Sequence, residues 1–347
     1  DVGVGWYPLL GAGAFGFCCH GWRLGAVDAP WEGVVKPTAL GLGAAPAPPL
    51  TLTRAEPRGQ TGRMRIIVTG GTGKLGRTVV RTLREEGHEV WNLDQHGRRG
   101  GFIRVELTDY GQVIDAIAGV DDRHSGVDAI VHLAAIPAPG LESDAATFHN
   151  NMLATYNVFQ AARRLGIRRI VSASSETVLG LPFDTPPPYI PVDEEYPARP
   201  ESTYSLVKHL EEQLAIELVR WDPGLSITAL RFSNVMDPED YEAFPAFDAD
   251  ATLRKWNLWG YIDARDGAQA VSLALAKGQP GFERFIIAAA DTVMSRPNAE
   301  LVAEMFPDVP VRGDLGVNDT LLSIEKARRV LGYAPRHSWR DGRDAMG

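Results

Sequence analysis

The chain has 347 residues, 44% of them hydrophobic, with a formal net charge of −9 and a pI near 5.4. That is enough for one large α/β domain, or one domain and a smaller lobe, and an acidic balance with no basic stripe excludes a nucleic-acid binder. No apolar run reaches the roughly 18–20 residues of a membrane span, and the two cysteines, Cys18 and Cys19, are chain neighbours that make no disulfide framework, so a cytoplasmic protein without membrane contact is expected.

Residues 1–63 differ in composition from the rest. They are rich in Gly, Ala and Pro, as in "ALGLGAAPAPPLTL", and carry neither a helical nor a strand period. Leu9 to Cys19 has the length of a short signal-peptide core. No basic residue precedes it and no A-x-A site follows closely, which argues against secretion. This segment is expected to be a disordered leader or a non-native extension, with "MRIIVTGG" at Met64 as the alternative true start.

From Met64 strands and helices alternate. Arg65–Thr69 reads as a short buried strand. Lys74–Glu86 reads as a helix with Leu75, Val79, Val80 and Leu83 on one face. Strands follow at His88–Asp94 and Phe102–Leu107, then a helix near Gln112–Ala118. "VDAIVHLAA" is a fourth strand. Next come a helix over about Ala145–Leu165, a fifth strand "RRIVSASS", a proline-rich loop "LPFDTPPPYIP", a helix Ser202–Trp221 and a sixth strand "LSITALRF". The pattern predicts a Rossmann-type doubly wound parallel sheet covered on both faces. The expected division is a nucleotide-binding domain over 64–232. A mainly substrate-binding lobe over 233–347 returns one strand and helix to the sheet.

Between the first strand and first helix, "TGGTGKLG" carries two overlapping glycine frames. Gly70, Gly73 and Gly76 fit G-x-x-G-x-x-G; Gly71, Gly73 and Gly76 fit G-x-G-x-x-G. Either frame gives a tight turn, a close backbone approach to a pyrophosphate and close helix–strand packing. The helix start behind it offers free N–H groups and a partial positive charge. Gly70, Gly73, Lys74, Leu75 and Gly76 are therefore assigned to a dinucleotide. Asp94, closing the second strand, suits ribose hydroxyls and would repel an extra phosphate, so NAD is favoured over NADP; His96, Arg98 and Arg99 stand against that preference.

"TYSLVKH" places Tyr204 and Lys208 four apart on one helix face. A free tyrosine, with a pKa near 10, is a poor base, and a nearby ammonium favours its phenolate. The pair can then take a proton from an alcohol as its hydride leaves. The fifth strand ends in Ser174 and Ser175, and a serine there can hold the substrate hydroxyl.

With these residues in place, the sequence resembles the extended short-chain dehydrogenases/reductases, the NAD-dependent epimerase/dehydratase family, from about Arg65 to Tyr333. The resemblance rests on "TGGTGKLG", "LTD" at Leu107–Asp109, "HLAA" at His132–Ala135, "SSETVLG", "YSLVK", "LRFSNV", "RDGAQA" and "KARRVLGYAP". It implies that Asp109 meets the adenine and that Leu133, Ala134 and Ala135 line the cofactor. It also implies that Ser175, Tyr204 and Lys208 are the catalytic set, that Tyr204 and Lys208 touch the cofactor, and that Asn151 is mainly structural. Ser174, Ser175, Glu176 and Asn234 are assigned to the substrate, and no metal site is assigned.

The chain departs from that pattern in three places. Sugar 4,6-dehydratases of the family carry Asp-Glu after the catalytic hydroxyl, where this chain has Glu176-Thr177, which ranks dehydration low. The aromatic usual before Gly180 is Leu179. The segment Ser233–Tyr261 is short for a nucleotide-sugar enzyme, and its acids Asp237, Glu239, Asp240, Glu242, Asp248 and Asp250 face only Arg254 and Lys255. Such a lid should disfavour a diphosphate, unless the acids are only a solvated loop, and the short form looks loosely like the uronate dehydrogenases. The leading expectation is an NAD-dependent oxidoreductase of a small sugar or sugar acid. Alternatives are a UDP-sugar 4-epimerase and, more remotely, a non-catalytic dinucleotide sensor, with a homodimer open as the assembly.

Overall fold

The computed structural model describes residues 62–341 apart from 98–99, 120–123 and 125. Residues 1–61 of the leader, with its two cysteines, and Arg98 and Arg99 lie outside the described residues.

Seven parallel strands form one sheet in the order β3-β2-β1-β4-β5-β6-β9. They are β1 (Arg65–Thr69), β2 (Glu89–Asp94), β3 (Phe102–Arg104), β4 (Ala129–His132), β5 (Arg169–Ser175), β6 (Ser226–Phe232) and β9 (Gly281–Ile287). The helices are α1 (Lys74–Glu85), α2 (Tyr110–Gly119), α3 (Asp144–Arg164), α4 (Thr203–Trp221), α5 (Thr252–Lys255), α6 (Ala264–Lys277), α7 (Asn298–Met305) and α8 (Glu325–Leu331). The expected alternation holds, with β3 shorter than its apolar run suggested.

Strand side chains alternate between faces, so the sheet has two cores. Ile66 and Val68 of β1 pack with Val79 and Leu83 of α1 and Ala268 and Val271 of α6. Ile67 packs on the other side with Val113 and Ile117 of α2, Val158 and Ala162 of α3 and Leu218 of α4. Both faces being covered explains the near-continuous apolar runs of the central strands.

Helix α4 starts on a capping box: Ser202 Oγ accepts from Ser205 N at 3.2 Å, and Ser205 Oγ accepts from Ser202 N at 2.9 Å. This fixes Tyr204 in the first turn. After β6 a second, two-stranded parallel unit joins β7 (Val235–Met236) to β8 (Ile262–Asp263), with α5 and a 3-10 segment, Pro238–Ala249, between them. No helix among the described residues is long and apolar enough to cross a membrane.

Candidate active site

The sheet order reverses between β1 and β4, and a crevice opens there beyond the carboxyl ends of the strands. A cavity of about 710 Å³ fills it. Most of its lining segments are strand ends or the turns after them, joined by residues of α3 and α4 and by Trp256. Gly70 to Gly76 follow β1, Asp94 and Gln95 end β2, Val105 to Leu107 follow β3, and Leu133 to Pro139 follow β4. Ser174 to Thr177 end β5, and Phe232 to Val235 end β6.

The structure distinguishes the two glycine frames. Gly70 has φ +71°, and a Cβ there would meet Ala134 N at 2.6 Å; a Cβ on Gly76 would meet Gly70 O at 2.1 Å. Gly70, Gly73 and Gly76 line the cavity, whereas Gly71 packs against the Asn92 side chain and does not. Gly73 is the N-cap of α1 and brings no side-chain acceptor. The first-turn N–H groups of Lys74, Leu75 and Gly76, residues that line the cavity, have no acceptor within the helix. That donor set fits an anionic pyrophosphate.

Asp94 lines the cavity at the end of β2. Its Oδ2 accepts from Thr72 N at 3.1 Å and Thr72 Oγ1 at 2.5 Å, and its Oδ1 from Gln95 N at 2.8 Å. A carboxylate offers about four lone-pair sites, so one remains for a ribose hydroxyl. His96 does not line the cavity.

Asp109 needs correction. It is exposed, caps the start of α2 by accepting from Gln112 N at 3.2 Å, and is not on the cavity wall. Glu106 and Leu107 stand there instead. The signal was available: Glu106 lies near the end of the third predicted strand, two residues beyond β3, and strand ends line the crevice.

Leu133, Ala134 and Ala135 line the cavity as expected. Asn151 pins the loop beyond them: its Oδ1 accepts from Ile136 N at 2.8 Å and its Nδ2 donates to Ile136 O at 3.0 Å.

The three residues expected to do the chemistry meet at the cavity. Ser175, Tyr204 and Lys208 are all buried and all line the cavity. The Ser175 hydroxyl favours the Tyr204 phenolate, though less than the Lys208 charge does. Thr177, which the sequence did not single out, orients Ser175 by donating to its Oγ from N at 3.1 Å and from Oγ1 at 3.0 Å. The Lys208 ammonium lies 6.0 Å from the Tyr204 ring centroid and donates to Ala173 O at 3.0 Å. Burial raises the Tyr204 phenol above its ordinary value, and the opposing charge of Lys208 does not fully offset it. The lysine alone therefore does not make a ready phenolate, as its spacing had suggested.

Ser174 and Ser175 are strand neighbours, and their hydroxyls have different partners. Ser174 Oγ donates to Glu212 Oε1 at 2.6 Å. Glu212 also holds Arg231 through two bonds, Nε to Oε1 at 2.8 Å and Nη2 to Oε2 at 2.7 Å. Ser174 is on the wall, but its proton is committed to this buried pair.

Glu176 is buried on the same wall as Asn234. Burial pushes its carboxyl up to about 7, against donation from Ser233 Oγ at 2.5 Å and Asn257 Nδ2 at 3.2 Å and the charge of Arg254. It ties β5 to the segment after β6 and to the one after α5. Trp256 also faces the cavity.

The lobe acids do not form a cavity lid, and four of the six are tied down by partners. Asp240 Oδ2 accepts from Lys74 Nζ at 2.7 Å, Asp237 pairs with Arg77, Asp248 accepts from Ser295 N at 2.9 Å, and Asp250 from Thr252 N at 2.9 Å. None of the six lines the cavity.

Comparison with known proteins fits this geometry. Residues 66–288 match the NAD dependent epimerase/dehydratase family. The chain belongs to that family. A UDP-glucose 4-epimerase of Corynebacterium glutamicum is 27% identical over 79% of this chain and 92% of its own length. An L-arabinose 1-dehydrogenase (NAD(P)(+)) of Haloferax volcanii is 26% identical over 78% and 96%. A solved UDP-galactose 4-epimerase superposes with a TM-score of 0.57 at 28% identity, over 79% of this chain and 94% of that one. Membership makes the protein an NAD-dependent enzyme of the extended short-chain dehydrogenase/reductase type. The sensor alternative falls with it.

Proposed function

We propose that the protein oxidises a hydroxyl of a sugar or sugar acid, with NAD as the hydride acceptor. The observation that carries this reading is the make-up of the cavity wall. Ser175, Tyr204 and Lys208 meet on it, and the cationic side chains among its described residues are Lys74 and Lys208. The segments after β6 and α5, which contribute Phe232 to Val235 and Trp256, bring no cation to meet a substrate diphosphate.

The glycine turn, Asp94, Glu106 and Ala134 would hold the dinucleotide, which supplies an acceptor for the hydride. The chain's own groups do the rest. Ser175 holds the substrate hydroxyl, and Lys208 stabilises the Tyr204 phenolate. That phenolate takes the hydroxyl proton and becomes a phenol as the C–H electron pair departs as hydride. Glu176 and Asn234, which line the same cavity as Ser175, would bind a second hydroxyl of a polyol.

The test is a screen of the full chain over free sugars, sugar acids and UDP-sugars, read for NADH and for isomerised product. NADH accumulating in step with an oxidised free sugar or sugar acid is the expected result. The second reading, a UDP-sugar 4-epimerase, is supported by the epimerase relatives; isomerised UDP-sugar without net NADH would establish it and overturn the first.

A further inference from the structure

Helix α4 carries a second acid that the hydride chemistry does not use. Glu211 stands three residues after Lys208, and the two side chains are only 5% and 3% exposed. Lys208 Nζ donates to Glu211 Oε2 at 2.9 Å and to Ala173 O at 3.0 Å. An ammonium has three donors, so one remains for the cavity that Lys208 lines.

The other oxygen of Glu211 ends a chain of buried bonds. Thr155 Oγ1 of α3 donates to Glu211 Oε1 at 2.9 Å. His132 Nε2 lies 3.0 Å from Thr155 Oγ1, and His132 Nδ1 lies 2.8 Å from Thr69 Oγ1. Ala134 N donates to Thr69 Oγ1 at 3.3 Å. One assignment of protons satisfies every bond. The Thr155 hydroxyl gives its proton to Glu211, so His132 must donate from Nε2, and its free Nδ1 accepts from the Thr69 hydroxyl. A protonated Glu211 would reverse the chain and leave the Thr69 hydroxyl proton with no acceptor among these bonds. The pattern therefore requires Glu211 as a carboxylate and His132 as a neutral ring, and burial with the nearby Lys208 charge pushes His132 down to about 3.

We infer that Glu211 is a positioning residue for the catalytic lysine: its carboxylate holds Lys208 as an ammonium and fixes Nζ between the end of β5 and the cavity. It acts on Tyr204 only through Lys208. The inference rests on the proposed chemistry for its purpose but not for its test.

Lys208 is faced by Glu211, Tyr204 and Glu212 on its own helix and by His132 from β4; Glu212 is itself neutralised by Arg231 of β6. Burial works against the Lys208 charge, and the negative charge of Glu211, followed by Tyr204 and Glu212, outweighs it and raises the ammonium above its ordinary value. Burial also pushes the Glu211 carboxyl up, with Lys208 opposing.

The chain has six lysines, few enough to resolve by NMR of 13Cε-lysine in the full-length protein without cofactor or substrate. The Lys208 signal is the one that vanishes in Lys208→Met. In the wild type it should titrate above an ordinary lysine. In Glu211→Gln its midpoint should fall by about one pH unit or more, since an opposite charge at contact is worth roughly 1–3 units. Glu211→Asp should restore most of that shift. A midpoint unmoved in Glu211→Gln overturns the inference. If that variant fails to fold, the wild type decides: a Lys208 midpoint below the ordinary value means Glu211 does not hold the charge. Neither readout depends on which substrate the enzyme takes, so failure of the proposed function leaves this result intact.

Discussion

Glu211 and Glu212 are adjacent on α4, and each buries a carboxylate against a cation. The two pairs have different geometries. Glu212 and Arg231 form a closed fork, 2% and 1% exposed, with Ser174 adding a third donor. Glu211 and Lys208 form an open pair, in which the point-charge cation keeps a donor free toward the cavity. One helix thus sends one acid to lock α4 onto β5 and β6, and the next to hold a working group. A lysine serves the second task because its ammonium can turn its remaining donor to a ligand, which a forked guanidinium held at both ends cannot do.

Breaking the closed pair should have the largest effect. Arg231→Leu leaves Glu212 buried without its cation, so stability measured by urea unfolding should fall by about 3–5 kcal/mol. A loss under 1 kcal/mol would mean that Ser174 and solvent satisfy Glu212 unaided.

On the open side, Tyr204→Phe keeps the ring and removes the proton acceptor. Turnover should drop about a hundredfold or more while NAD affinity and unfolding midpoint stay near wild type. Near-normal turnover would place the base elsewhere.

Glu176 is a buried acid whose bonded partners are a hydroxyl and an amide, and it sharpens the comparison through pH. Its folded value of about 7 lies above the ordinary 4.5. The folded state therefore holds the proton more tightly. The stabilisation is complete below about 4.5 and is lost as pH rises to about 7. Glu176→Gln should remove this component, so the wild-type minus variant difference in unfolding free energy should decline across that window. A flat difference would show that Glu176 is ionised throughout.

The smallest effect belongs to Asp94, half-exposed and bound only to neutral donors. Asp94→Ala should weaken NAD binding by about tenfold, the scale of one hydrogen bond to a charged group, and narrow the preference over NADP. A wild type that already prefers NADP would refute the ribose role.

The sequence made the cofactor end legible because that end is local. Gly70 to Gly76 sit between one strand and one helix, and Asp94 closes the next strand, so spacing alone carries the geometry. Tyr204 and Lys208 were readable for the same reason, being one helical turn apart. What escaped was non-local. Glu211 looks like any acid at i+3 from a lysine until α3 and β4 bury it with Thr155 and His132. Ser174 reads as a substrate contact until Arg231 and Glu212 claim it. The acids of the lobe read as a repulsive lid because their partners, Lys74 and Arg77, lie about 160 residues away in the chain. Asp109 was placed at the adenine by resemblance, where the local signal, a glutamate two residues beyond β3, pointed to Glu106.

The last strand to join the sheet has a consequence for how the protein is made. β6, "SITALRF", is buried at every position and pairs with β9 along its full length, from Ser226↔Gly281 to Phe232↔Ile287. During synthesis roughly fifty residues must follow before that partner exists, and until then a seven-residue unpaired strand edge lies open beside β5. Once in place, β9 is the new edge, and α8 lies against it: Lys326 Nζ donates to Glu283 Oε2 at 2.7 Å and to Arg284 O at 3.0 Å. A nascent chain stalled before Gly281 carries Ser175, Tyr204 and Lys208 and yet presents a sticky strand, so polypeptides cut short in the lobe should be clients for chaperones or proteases and should not survive as slow enzymes.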